Sequence, residues 1–166
     1  MASVSVASYI RKQATAAAII NAVLNPLIEW LFNREKGFVP LWASDGIVVN
    51  IAVTSVILSL LVALFTTRGL HQELHAGHIT TGGGESPRAG RLLSQLPRRA
   101  WSLGLLLGVG VAAFVTLTFW LLHVLDVSGL SFGGFLVFKA VYCGLLGFVV
   151  ARWVILRQMS DVPRPS

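Results

Sequence analysis

The chain has 166 residues, of which 55% are apolar and only 12% charged, with mean hydropathy +0.75. An ordinary soluble domain carries roughly a quarter charged residues. These values exclude a disordered chain, a conventional soluble enzyme and a nucleic-acid-binding domain, although the net charge is +6; they point to an all-α integral membrane protein.

The first apolar run, 13–32, is about 20 residues long. That suits an uncleaved membrane span better than the roughly 7–15-residue apolar region of a signal peptide. It holds the sharpest polar signal in the chain. Asn21, Asn25 and Glu29 recur every four residues and therefore share one helix face. Pro26 follows Asn25 and frees the Ala22 carbonyl. Such a stripe can bind an ion or solute, or it can tie helices together by hydrogen bonds. Ala14, Ala18 and Ala22 form a small-residue stripe on the same helix.

A short connection, 33–46, carries Phe38, Pro40, Leu41 and Trp42, and Asp45 stands where an N-cap of the next helix is expected. The second span, 47–67, adds Asn50 and Thr54, one turn apart.

A longer polar connection, 68–100, follows. His71, His75 and His78 have the spacing of one helix face, but Gly77 interrupts it and no cysteine supports a metal site. Residues 80–87 have linker composition. The stretch 88–99 reads as an amphipathic basic helix, with Arg88, Arg91, Arg98 and Arg99 suited to anionic lipid headgroups.

The third span, 101–123, has small residues at Gly104, Gly108 and Ala112, with His123 and Asp126 at its far end. The fourth, 132–151, repeats the device with Cys143, Gly147 and Ala151. It also holds Lys139 with Tyr142 one turn on. A membrane-embedded Lys139 and Glu29 are natural partners, since an isolated charge there costs about 2.5–3.5 kcal/mol or more. A tail, 152–166, closes the chain.

Ten of the 13 Lys and Arg residues lie before the first span, between the second and third, or after the fourth. Both termini and the long connection are therefore expected on the cytoplasmic side, in the layout of small bacterial inner-membrane proteins. The short loops lead us to expect two antiparallel hairpins, first with second and third with fourth. A parallel 2+2 repeat about an axis along the membrane normal is compatible with this layout. Three small-residue stripes suggest a homo-oligomer.

The polar set Asn21, Asn25, Glu29, Asn50, Thr54, Lys139 and Tyr142 leads us to expect a small channel- or transporter-like protein. Its polar site would lie in the outer half of the bundle, with no cofactor and no enzymatic activity. Two alternatives are a non-transporting subunit of a larger membrane complex, and a membrane enzyme or a binder of lipid, quinone or another cofactor.

Overall fold

The computed structural model describes residues 4–76, 79–80, 96–97 and 99–159. The architecture is all-helical, with four helices long and apolar enough to cross a membrane: α1 (Val6–Asn33), α2 (Ile47–His75), α3 (Ala100–Val124) and α4 (Phe132–Met159). α1, α2 and α4 run past their uncharged stretches, because helical hydrogen bonding does not stop where hydropathy falls. Thus α1 starts before Arg11 and Lys12, and α4 continues to Met159. Pro26 does not break α1.

Four short strands tie the ends. β1 (Val4–Ser5) pairs in parallel with β3 (Ile79–Thr80), beyond α2. At the opposite end β2 (Phe38–Pro40) pairs antiparallel with β4 (Gly129–Ser131), joining the 34–46 loop to the 125–131 loop. The register centres on Val39 opposite Leu130. Two further backbone bonds extend it, Leu41 N–H to the Ser128 carbonyl at 2.8 Å and Phe132 N–H to the Gly37 carbonyl at 3.1 Å. A side chain at Gly129 would strike the Val39 carbonyl, so only glycine fits there. The Ser131 hydroxyl caps α4 by accepting from Gly134 N–H at 3.2 Å.

Helix packing departs from the hairpin expectation. α1 packs chiefly on α4, and α3 on α2, while α2 and α4 pack on each other at the centre. α1 and α2 share no extended interface, and α3 touches α4 only marginally. The order is therefore α1–α4–α2–α3. Short loops constrain direction and which ends are near; they do not force full-length contact. Here the β2–β4 ribbon joins the loops, and the small-residue seams select the partners. Exchanging α1-β2-α2 with α3-β4-α4 maps both the helix order and the ribbon onto themselves.

Both outer seams are built on glycine. A Cβ on Gly104 would lie 2.8 Å from Ala63 Cβ and 2.9 Å from the Ser59 carbonyl oxygen; on Gly108 it would lie 2.8 Å from Val56 Cα. Across the other seam, Gly144 faces Ala18 and Ala22, and Gly147 faces Ala17 and Asn21. Cys143 and Ala151 are buried in the central core with Ala14, Leu58, Val62 and Leu103. The three stripes from which a homo-oligomer was expected thus find backbones to approach inside one chain, and Ala112 is half-buried beside them.

The apolar core continues toward the β2–β4 end through Val39, Ile47, Ile51, Phe119 and Phe135. Toward the chain termini, Tyr9, Leu70 and Ile155 close it. There the buried Arg157 donates from Nε to the Leu96 carbonyl at 3.1 Å, fixing the stretch that leads into α3.

Candidate functional site

The four-residue spacing on α1 continues one step past the span marked in the sequence, to Asn33. This places Asn21, Asn25, Glu29 and Asn33 in a row, and its upper half meets α2 and α4. The Glu29 carboxylate is the hub. Lys139 Nζ donates to Glu29 Oε2 at 2.6 Å, Asn50 Nδ2 to the same oxygen at 2.9 Å, and Asn33 Nδ2 to Oε1 at 2.8 Å. Lys139 Nζ also donates to Asn50 Oδ1 at 2.7 Å and lies 5.7 Å from the centre of the Phe135 ring. Glu29 is 8% exposed and Lys139 5%. At that burial the charges must neutralise each other, and the two amides add hydrogen bonds to the carboxylate.

The other sequence candidates divide. Asn21 and Asn25 bond along their own helix. Asn21 Nδ2 donates to the Ala17 carbonyl at 2.7 Å, and Asn25 Nδ2 to the Asn21 carbonyl at 3.1 Å and to Asn21 Oδ1 at 3.3 Å. Tyr142 stands one turn from Lys139, but its hydroxyl pairs with Ser55 Oγ at 2.5 Å. Ser55 in turn donates to the Ile51 carbonyl at 2.6 Å, leaving the phenol to supply the proton between the two hydroxyls. Ser55 is not legible in the sequence, because a lone serine in an apolar helix carries no periodic signal.

Because α1 and α2 do not pack together, a cleft of about 290 Å³ opens between them. Glu29, Asn33, Asn50 and Thr54 line it, Val49 and Val53 form its apolar wall, and Lys36, Ser44 and Asp45 form its rim. Asp45 is therefore not the cap of α2. Gly46 holds the N-cap position without a side-chain bond, and Asp45 instead binds Lys36 Nζ at 2.7 Å. The hydrogen bond and charge of Lys36 hold the Asp45 carboxyl below its ordinary pKa. Neither residue at the rim was singled out as a site residue in the sequence.

His123 and Asp126 stay apart from this cluster. His123 is exposed and meets Trp42 edge-on at 6.1 Å between ring centres. Asp126 ends α3 with φ 65°. His71 and His75 are exposed on the last turns of α2, and His78 lies outside the described residues. No group of three metal-ligating side chains gathers among the described residues. Of the basic set, Arg99 is exposed at the start of α3, while Arg88, Arg91 and Arg98 lie outside the described residues.

Comparison with protein-family models, with curated proteins and with solved structures finds no match.

Proposed function

We propose that this is a four-span membrane protein of the inner (plasma) membrane, with both termini and the 68–100 connection cytoplasmic, acting as a transporter-like protein. Its polar site is the α1–α2 cleft in the outer half, which admits a small ion, proton or polar solute to the Glu29–Lys139 pair. The observation that carries this reading is a buried, hydrogen-bonded ion pair whose Glu29 carboxylate lines a cleft between two helices that do not pack together. A paired charge costs far less than a lone one in a membrane helix, and a partner that can be exchanged is a means of binding and releasing charge.

Toward the termini α1 and α4 close on each other at the seam of Ala17 and Ala18 against Gly144 and Gly147. That supports a site reached from one side at a time rather than an open pore. The two-fold exchange of the halves supports a parallel 2+2 repeat. Each half supplies one member of the pair: counting back from the helix ends, Glu29 of α1 corresponds to Trp120 of α3.

A second reading, a non-transporting subunit of a larger membrane complex, draws on α1. Of its 28 residues only Tyr9, Ala14 and Glu29 are buried, so a long apolar face is left for lipid or for another helix.

The test is proton and monovalent-cation flux into proteoliposomes of wild type, Glu29→Gln and Val53→Trp. Val53 is 53% exposed, so a tryptophan there obstructs the cleft without entering the core. We expect flux above empty liposomes for wild type and a loss of about tenfold or more in both variants. No flux from folded wild type contradicts transport, and flux unchanged in both variants contradicts the cleft as its site.

A further inference from the structure

The same cleft has features that a soluble ion does not require. First, its level. α1 is 28 residues, about 42 Å, against a hydrocarbon core of about 30 Å. A centred helix overshoots by about 6 Å at each end, and Glu29, four residues before Asn33, lies about 6 Å from its end. The ion pair therefore stands where acyl chains meet headgroups.

Second, its continuation. Val49 and Val53, the apolar wall of the cleft, begin a row on α2 that continues as Ile57, Leu61 and Phe65 at four-residue steps, each 44–67% exposed. The row runs about 24 Å down the helix, the reach of an extended acyl chain.

Third, its charge. The rim pair Lys36–Asp45 sums to zero, and so does Glu29, which lines the cleft, with the Lys139 that it holds. A site with both signs and no net charge suits a headgroup that itself carries both signs, and gives a net anion no advantage. The Glu29 carboxylate accepts three hydrogen bonds from the described residues, while a carboxylate offers about four acceptor sites.

We propose that the α1–α2 cleft binds the headgroup of a zwitterionic phospholipid bearing a primary amine, with one acyl chain laid along Val49–Phe65. The ammonium is taken by Asp45 and the open acceptor site of Glu29, and the phosphate by Lys36. Primary rather than quaternary nitrogen follows from the acceptors, which need N–H donors. The proposal rests on the reading that the four helices span the membrane and that this cleft is the polar site. It does not rest on transport.

The experiment is native mass spectrometry of the full-length protein released from detergent, titrated with phosphatidylethanolamine, phosphatidylcholine or phosphatidylglycerol. Wild type, Val53→Trp and Asp45→Asn are compared, each with its helix content checked by circular dichroism. We expect one tightly retained phosphatidylethanolamine per chain, and an affinity about tenfold lower for the other two lipids and for both variants. Equal retention of all three lipids, or phosphatidylethanolamine binding unchanged in both variants, overturns the proposal. Soluble phosphoethanolamine should not displace the lipid at comparable concentration, because it lacks the acyl chain; displacement overturns the assignment to lipid. A wild type that passes ions but retains no lipid refutes this inference and leaves the transport reading standing, and lipid retention without flux does the reverse.

Discussion

Lys139 Nζ lies 2.6 Å from Glu29 Oε2, a contact that joins α4 to α1 across 110 positions of sequence. Asn50 of α2 bonds to both members, so one cluster ties together three helices, two of which otherwise barely meet. Replacing one partner leaves a buried charge uncompensated. Glu29→Met and Lys139→Met should each destabilise the bundle by about 3–5 kcal/mol. The double variant Glu29→Met with Lys139→Met should recover most of that loss. Unfolding in mild detergent reads all three, and additive losses in the double variant would show that the residues do not act as a pair.

The α2–α3 seam predicts opposite outcomes for two nearby glycines. Gly108→Ala pushes a methyl to 2.8 Å from Val56 Cα, a backbone atom that cannot swing aside, and should cost about 1–3 kcal/mol. Gly110→Ala meets nothing within 4 Å and should stabilise α3 by up to about 1 kcal/mol through helix propensity. Thermal unfolding of the two variants side by side checks the sign of each.

At the end of α3, Val127 N–H bonds to the Leu122 carbonyl at 3.2 Å and Asp126 N–H to the His123 carbonyl at 3.0 Å. This is a Schellman ending, with Asp126 in the left-handed position that glycine usually fills. Asp126→Gly should be neutral or stabilise by up to about 1 kcal/mol, and Asp126→Val should destabilise by about 1–2 kcal/mol. Thermal unfolding in the same detergent measures the pair.

At the rim of the cleft, Lys36 holds the Asp45 carboxyl below its ordinary pKa, first by hydrogen bonding and then by charge. A depressed carboxylate contributes stability above its unfolded pKa of about 3.9 and loses it as pH falls through the lower folded value. The Lys36–Asp45 contact should therefore persist through neutral and mildly acidic pH and open only below the ordinary carboxylate range. In Lys36→Ala the Asp45 titration should move back up. Carboxyl NMR of labelled aspartate in micelles follows it, and an unmoved titration would deny the contact.

The four helices were legible because each carries an apolar run longer than any soluble strand or turn would need. Glu29 and Lys139 could be proposed as partners because each is a lone charge inside such a run. The order of the helices was not legible. It depends on which small-residue seams meet and on the β2–β4 ribbon, whose strands are three residues each and have no alternating pattern of their own. Asn33 continued the four-residue spacing of Asn21, Asn25 and Glu29 and could have been found by extending the row one step beyond the apolar span. Lys36 and Asp45 could not: a Lys and an Asp nine residues apart in a polar loop have no spacing that marks them as a pair, and only the loop's path brings them to the cleft. The cleft itself arises from a contact that α1 and α2 fail to make, and hydropathy does not encode that.

If the α1–α2 cleft is the polar site proposed above, water reaches it from the outer side down to the level of Thr54. This is tested by placing single cysteines in a Cys143→Ala background in right-side-out proteoliposomes free of phosphatidylethanolamine and adding a membrane-impermeant maleimide. Thr54→Cys should label from outside nearly as fast as Ser44→Cys at the rim, and Val53→Trp should suppress labelling at 54. Ser59→Cys, fully buried between α2 and α3, should stay silent. A Thr54→Cys as silent as Ser59→Cys, or one that labels only from the cytoplasmic side, would contradict the account.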